Sequence, residues 1–277
     1  MIALALAAVA APLPVRLSEL HTLDVRVATI GDELAIRGRA HCPVLVYRHG
    51  LVVQDLALYG SRDRAEAARL FGLKDYPVIT AVIRGRSRTV SADLRPGDEI
   101  MMAAGRPLGP VDTKNPYGRI AAIEDALESG LITLGVRRGE TEQILQYRGS
   151  LGCRSRIQLV PGRKLNARAD GTYVQLTDAL VREAADDDEL AFIIAHEMAH
   201  NILRHAETRG PKRIEEDEAD RLGLKLMKAA GHDPRAAARF WSRFGDKTGF
   251  GILSDGSHRR TKARVNFLTE EAAALTQ

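Results

Sequence analysis

The chain of 277 residues has only two cysteines, Cys42 and Cys153, and it lacks any long hydrophobic run. Two cysteines so far apart exclude the type of metal site that is built from closely spaced thiol pairs. No stretch approaches the ~20 apolar residues that a transmembrane helix requires. The net charge is only +4, from 40 basic and 36 acidic side chains, and the basic residues form no dense block. We therefore expect neither a transmembrane helix nor a nucleic-acid partner.

Residues 1–11 form a short apolar run at the start of the chain, and Ala8-Val9-Ala10 has the small-x-small pattern of a cleavage site. This combination favours a secretory signal peptide and an exported, periplasmic protein. No Lys or Arg precedes the run, so a buried strand or helix is the alternative. After export, Cys42 and Cys153 would form a disulfide that closes a long loop; otherwise they are two buried free thiols.

Residues 44–149 differ from the rest of the chain because short β-rich runs alternate there with two helical stretches and turn signals. The predicted strands are Val44–Tyr47, Gly50–Leu58, Pro77–Ile83, Glu99–Ala103, Leu131–Arg137 and Thr141–Tyr147, and the predicted helices are Asp63–Phe71 and Ile120–Glu128. We interpret this region as a β-rich domain, with residues 12–43 as a segment before it.

Residues 150–277 predict a mainly helical domain with a small sheet, so that the whole chain is of the α+β class. The predicted strands are Ile157–Val160 and Thr172–Leu176. Asp186 and Glu189 form a capping-box pair that opens a helix running to about His205. Later helices are predicted at about residues 213–230, ending at Gly231, at 233–244, and from about 261 onward.

The decisive motif is His196-Glu197-Met198-Ala199-His200. On a helix, residues i and i+4 lie on one face, so the two imidazoles can bind the same Zn²⁺. Glu197 then lies beside the metal, where the general base of a hydrolase belongs. The alternative is a core helix with two hydrogen-bonded histidines.

A hydrolytic zinc site needs a third protein ligand, and Glu216 is the candidate. Glu216 and Asp220 stand at i and i+4 on the next helix, which the break at residues 209–211 would turn back across the first. Glu216 could then reach the metal, while Asp220 accepts the second N–H of a ligand histidine. The alternative is that both acidic residues only favour the dipole at the start of this helix.

The His196–His200 motif together with Glu216-x-Glu-Ala-Asp220 resembles the zinc metallopeptidase family that includes HtpX, BepA and the CAAX-prenyl endopeptidases. The resemblance implies zinc ligands at His196, His200 and Glu216 and a base at Glu197. Ser257-His258 with Arg264 resembles a late motif of that family, although Arg259 replaces its usual proline. His258 would stabilise the oxyanion or block the site as a fourth ligand, and Arg264 would brace the site. The alternatives are a surface histidine in a glycine-rich loop and a solvated arginine.

A second resemblance lies in residues 77–107, where Pro77–Ile83, Leu94–Ile100 and Gly105–Pro107 are similar to a bacterial PDZ domain. It implies a groove for a C-terminal peptide beside a free sheet edge. Phe71–Leu73 and Gly50–Val52 compete as the carboxylate-binding loop. The alternative is a β-rich domain that only braces the catalytic part.

Together these observations predict a zinc metalloendopeptidase that hydrolyses polypeptides in protein quality control of the cell envelope. We expect the substrate to add as a strand along an edge near Tyr173–Leu176. A zinc hydrolase acting on a non-peptide amide and a peptide-binding module with a latent zinc site are the alternatives. The other histidines show no ligand spacing and are interpreted as ordinary; they are His21, His41, His49, His205 and His232.

Overall fold

A computed structural model of the chain describes residues 13–83, 93–208, 211–245 and 261–276. It mixes helices and sheets, which confirms the expected α+β character at that level. The helices are α1 (Leu13–Arg37), α2 (Ser61–Phe71), α3 (Gly118–Glu128), α4 (Asp178–Glu183), α5 (Asp187–Ile202), α6 (Lys212–Ala230), α7 (Ala236–Phe244) and α8 (Thr261–Thr276). Within the described ranges, no helix is both long and apolar enough to cross a membrane.

The strands fall into three sheets. They are β1 (Leu45–Arg48), β2 (Leu51–Gln54), β3 (Val78–Val82), β4 (Glu99–Ala103), β5 (Arg106–Pro107), β6 (Ile132–Arg138), β7 (Thr141–Tyr147), β8 (Ser150–Cys153), β9 (Arg156–Val160), β10 (Ala167–Ala169) and β11 (Tyr173–Thr177). The largest sheet has the order β2-β3-β4-β6-β7, with β5 beside β4. The order of the second is β10-β11-β9, and β1 pairs with β8 in the third.

The described residues form two large hydrophobic cores and a smaller cluster. One core fills the β2–β7 sheet and its helix α3, with Ile79, Ile100, Ile123 and Leu134 fully or almost fully buried. The other fills the space between α1, the β9–β11 sheet and helices α4 to α8. The two large cores share no residue, and we call the parts of the molecule around them the β-rich half and the helical half.

Helix α1 is the main element that the sequence analysis missed. Its residues Val27, Ile30 and Leu34 are buried in the core of the helical half. Leu17, one end of the same helix, packs with Ala67 of α2 and Val78 of β3 in the β-rich half. The segment 12–43 therefore contains a helix that packs against both halves of the molecule.

One predicted strand is shorter than expected. Residues Gly50–Leu58 were predicted to be one strand, but β2 ends at Gln54 and a 3-10 turn covers Leu56–Leu58. The Asp55 carboxylate accepts the Ala57 backbone N–H at 2.9 Å, which closes the turn. A side chain that bonds to the backbone two residues ahead competes with the ladder of a strand, and here it ends β2.

Helices α5 and α6 position the motif residues. Asp186 caps α5 by accepting the Glu189 N–H at 2.8 Å. The helix ends at Ile202, three residues before the predicted end. Gly223 of α6 lies against the motif helix, since a Cβ there would come within 3.2 Å of the His196 backbone nitrogen. Glycine thus allows the close approach of the two backbones that brings α6 to the histidines.

The prediction that Tyr173–Leu176 forms an edge strand, along which a substrate could pair, is wrong. Strand β11, which contains Tyr173–Leu176, pairs with β10 on one side and with β9 on the other. It is therefore the central strand of its sheet, and its backbone groups are already used in both ladders. Within the described residues, the edges of this sheet are β9 and β10.

Candidate metal centre

The structure brings the side chains of the three predicted ligands together, with one ligand atom of each within 4.8 Å of the others. His196 Nε2 lies 3.2 Å from His200 Nε2 and 3.2 Å from a Glu216 carboxylate oxygen. His200 Nε2 lies 3.5 Å from the other Glu216 oxygen. His196 and Glu216 are buried, and His200 is partly buried. The three side chains thus form a compact donor triangle at the contact between α5 and α6.

The size of this triangle fits a zinc-like ion. In a tetrahedral site with bonds of about 2.0–2.1 Å, the donor atoms lie about 3.3–3.4 Å from one another. The two histidine Nε2 atoms lie 3.2 Å apart, and they lie 3.2 and 3.5 Å from the two oxygens of the Glu216 carboxylate, so each separation is near that value. Two imidazole nitrogens and a carboxylate are also a donor set that zinc accepts. The residues present therefore fit a divalent metal bound by three protein ligands.

Behind the first histidine lies a buried ion pair. His196 Nδ1 is 2.9 Å from an Asp220 carboxylate oxygen. Asp220 in turn accepts two hydrogen bonds from Arg264, at 2.6 and 2.9 Å. The guanidinium of Arg264 lies over the Trp241 ring, 4.1 Å from its centre. Asp220 and Arg264, both predicted to support the site, therefore hold His196 with its Nε2 towards the other donors.

The charges around His196 favour a cation. Burial disfavours its charged form, but the hydrogen bonds and negative charges of Asp220 and Glu216 outweigh burial and raise the pKa of His196 well above its ordinary value. For Asp220, burial by itself would raise the pKa, but the charges and hydrogen bonds of Arg264 and His196 outweigh burial and lower the pKa below its ordinary range. The pocket thus stabilises positive charge at the point where the three donors meet.

Glu197, the predicted base, is buried on α5 next to His196. The helix that carries it is anchored to the sheet by Asn201, a residue that the sequence analysis did not single out. The Asn201 amide donates to Ser155 Oγ at 2.9 Å and to the Tyr173 carbonyl at 3.2 Å, and it accepts the Gly171 N–H at 2.6 Å. These bonds fix the motif helix against β11.

His205 is not an ordinary histidine, contrary to the sequence interpretation. Its Nδ1 lies 2.9 Å from Nδ1 of His200, and the ring is almost wholly buried. Burial and the neighbouring His200 lower the pKa of His205. Its spacing from His200 does not match a helical repeat, so the pattern held no signal for this contact. Of the other predicted residues, His258 lies outside the described residues.

The cysteines Cys42 and Cys153 form a disulfide in the structure, with a Cα–Cα distance of 5.4 Å. The bond joins the residue after the 3-10 turn that follows α1 to the last residue of β8. It therefore encloses the whole β-rich half in one loop, as the sequence suggested for an exported protein. Three of the remaining histidines have structural contacts: His49 accepts the Leu51 N–H at 3.0 Å, His21 packs on the Phe71 ring, and His232 pairs with Asp188 at 2.8 Å.

The segment that carries the two motif histidines is also where the chain matches a known family. Residues 152–210 match the model of Peptidase family M48. The match includes His196, Glu197 and His200, and it ends before Glu216 and Asp220. A comparison with curated proteins found no match. The family match supports a metallopeptidase, and the donor triangle supports its dependence on a metal.

Proposed function

We propose that this protein is a zinc-dependent metalloendopeptidase with His196, His200 and Glu216 as ligands and Glu197 as the general base. The observation that carries the proposal is the donor triangle with separations of 3.2 to 3.5 Å, backed by Asp220 on His196. Three protein ligands leave a fourth position for water or substrate, as catalytic rather than structural zinc sites do.

The roles of the residues follow from their places. A zinc ion bound at the triangle would supply a Lewis acid that lowers the pKa of water and polarises a carbonyl. Glu197 takes the proton of the attacking water and passes it to the leaving amine. Asp220 and Arg264 keep the first histidine in the tautomer that offers Nε2. His258 is proposed to stabilise the oxyanion or to block the site, as its motif implies.

We place the polypeptide substrate along β10 rather than β11. Strand β10 is an edge strand of its sheet within the described residues and runs antiparallel to β11. It also packs beside the motif helix α5. The other edge, β9, lies against α1 and is therefore covered. An extended substrate would add to the sheet through backbone hydrogen bonds, and its cleaved bond would lie over the motif helix.

We also propose that the protein is exported to the periplasm and takes part in protein quality control of the cell envelope. A disulfide between Cys42 and Cys153 persists in an oxidising compartment, which supports export. The predicted signal peptide, residues 1–11, lies outside the described residues. A reducing location would leave both thiols free.

The peptide-binding alternative depends on the free edge of β2. That edge and α3 line a cavity that both Val52 and Phe71 contact, so Gly50–Val52 and Phe71–Leu73 remain the two candidates for the carboxylate-binding loop of a PDZ-like domain. Residues of α1 and β9 also line this cavity, whose volume is about 270 Å³, and they occupy the side on which a peptide would lie. No observation therefore favours peptide capture as the main activity.

The proposal is tested with Glu197→Gln. This variant should lose cleavage of casein or a peptide library by several orders of magnitude and keep its zinc, because the side chain acts as a base and not as a ligand. Glu189→Gln is the matched control: it changes a second buried glutamate of the same helix, outside the site, and should still cleave. Unchanged cleavage by Glu197→Gln would exclude the mechanism.

Metal content tests the ligand set independently of cleavage. The purified protein should hold about one zinc per chain, and Glu216→Ala should lower that content. The neighbouring Glu215, whose carboxylate accepts a hydrogen bond from the Thr208 hydroxyl at 3.0 Å, provides the control. Glu215→Ala should keep the zinc content of the wild type. Full zinc retention in Glu216→Ala would mean that the third ligand lies elsewhere. Zinc binding without cleavage of any polypeptide would favour the non-peptide amide hydrolase.

A further inference from the structure

His205 follows directly after a turn that folds the chain back over the second motif histidine. Arg204 has a left-handed backbone conformation with φ 60°, which is unusual for a residue other than glycine. The His205 N–H donates to the His200 carbonyl at 3.0 Å, and the Arg204 N–H donates to the Asn201 carbonyl at 3.2 Å. These two bonds are the Schellman arrangement of a helix end. The turn places the His205 ring against the side chain of His200.

The ring of His205 joins His200 to α6. One nitrogen, Nδ1, lies 2.9 Å from Nδ1 of His200, and the other, Nε2, lies 3.3 Å from a carboxylate oxygen of Glu218. The His205 side chain is only 6% exposed, whereas Glu218 is half exposed. Glu218 stands on α6 between Glu216 and Asp220, so both helices contribute to this chain of contacts.

The contact between two Nδ1 atoms restricts where the protons lie. When His200 gives its Nε2 lone pair to a metal, its N–H is on Nδ1. That N–H can bond only to an unprotonated nitrogen, so Nδ1 of His205 is the acceptor. The proton of a neutral His205 is then on Nε2, where it donates to Glu218. One arrangement of protons satisfies every contact from the donor triangle to the surface of α6.

We propose that His205 is a positioning residue that fixes the tautomer and ring orientation of His200 for metal binding, with Glu218 fixing His205 in turn. This inference rests on the proposed metal site. The two histidine ligands are then supported differently: His196 by the charged Asp220–Arg264 pair, and His200 by a neutral imidazole. Partners of metal-ligating histidines typically affect metal affinity by 10–100-fold.

Nuclear magnetic resonance of the imidazole nitrogens tests the proton arrangement in the unmutated, zinc-loaded protein. We expect His205 to be neutral with its proton on Nε2, and His200 to carry its proton on Nδ1. A proton on Nδ1 of His205 would overturn the proposal, because His200 could not then donate to it. This result does not depend on whether the protein cleaves a substrate.

Two substitutions give the affinity readout. His205→Asn keeps an acceptor near the position of Nδ1 and should retain most of the zinc affinity, whereas His205→Leu should lower it by about 10–100-fold in competition with a chelator. His232→Leu is the matched control, since His232 also contacts two carboxylates, those of Asp188 and Glu33, away from the donor triangle. It should keep its zinc affinity.

The outcomes separate this proposal from the proposed function. Equal zinc affinity in the wild type, His205→Asn and His205→Leu would overturn the positioning role, even if the protein cleaves polypeptides. Loss of affinity in His205→Leu alone would support it, even if no polypeptide is cleaved. If His205→Leu does not fold, the imidazole nitrogen resonances of the zinc-loaded wild type decide: protons on Nδ1 of His200 and on Nε2 of His205 support the role, and a proton on Nδ1 of His205 contradicts it.

Discussion

The two halves of the molecule each contain a buried arginine–aspartate pair of almost the same geometry. In the helical half, Arg264 donates to both oxygens of Asp220 at 2.6 and 2.9 Å. In the β-rich half, Arg119 donates to both oxygens of Asp55 at 2.5 and 2.8 Å. All four residues are buried. Burial and ion-pair geometry therefore do not distinguish a functional pair from a structural one.

The difference lies in the further partners of each pair. Asp220 also lies 2.9 Å from Nδ1 of His196, whose other nitrogen belongs to the donor triangle. Asp55 accepts the Ala57 N–H at 2.9 Å, and Arg119 donates to the carbonyls of Asp75 and Gly109 at 2.6 and 3.1 Å. One pair orients a residue of the donor triangle, and the other joins loops of the β-rich half. What a buried ion pair does depends on the group it holds.

The largest expected effect comes from Asp220→Asn. The substitution leaves Arg264 buried without its carboxylate, which typically costs about 3–5 kcal/mol of unfolding free energy. It also removes the acceptor behind His196, so zinc affinity should fall by about 10–100-fold. Urea unfolding and chelator competition measure the two effects separately. Unchanged zinc affinity would show that Asp220 is a structural residue like Asp55.

Asp55→Asn is the matched change in the other half. It should also cost about 3–5 kcal/mol, because Arg119 then lies buried with only carbonyl partners from the loops. The zinc affinity of the folded protein should remain that of the wild type. If zinc affinity falls as much as in Asp220→Asn, the two halves are energetically coupled and the comparison between the pairs does not hold.

The disulfide should have a somewhat smaller effect, and it tests the boundary between the halves. It joins residues 111 positions apart, so loss of the bond enlarges the conformational freedom of the unfolded chain. We expect about 2–4 kcal/mol of destabilisation in the double variant Cys42→Ser, Cys153→Ser. A reductant should lower the midpoint of thermal unfolding of the wild type and leave the double variant unchanged. A wild type insensitive to reduction would contradict a disulfide in solution.

The smallest expected effect concerns Asp24 of α1, in the cavity between the two halves. Burial raises the pKa of Asp24 to about 6 from an ordinary value of 3.8, with a backbone hydrogen bond from Leu159 opposing the shift. Because the folded state favours the protonated form, the free energy of unfolding should decrease by about 2 kcal/mol as the pH rises from about 4 to about 6. The decrease should level off within about one pH unit above that range, where Asp24 is ionised in both the folded and the unfolded state.

Asp24→Asn should remove this decrease and make the protein more stable than the wild type at pH 8. Glu124 lines the same cavity, and burial raises its pKa to about 7, so the variant should retain a decrease from that residue. The quantity to compare is therefore the difference in free energy of unfolding between wild type and variant, measured with urea at pH 4 and again at pH 8. A constant difference across this range would contradict the shifted pKa of Asp24.

Much of the local structure could be predicted from the sequence, because it depends on neighbours in the chain. The bounds of β4 and β7 agree with the predicted ones, and α6 ends at Gly231, which has the left-handed conformation typical of a helix cap. The i, i+4 spacings also placed His196 and His200 on one face of α5 and Glu216 and Asp220 on one face of α6. These relations follow from the periodicity of a helix alone.

How the face of α5 meets the face of α6 depends on contacts between distant segments and was not predictable from the sequence. The contacts Arg264–Asp220 and Asn201–Ser155 join residues 44 and 46 positions apart, and no periodicity relates such residues. The central place of β11 depends on which strands pair with it, and pairing is a long-range choice. His205 reaches His200 because Arg204 has a left-handed backbone conformation. An arginine in the sequence does not predict this conformation, which is uncommon for residues other than glycine. Spacing along the chain therefore predicted the ligands, and packing between distant segments determined what surrounds them.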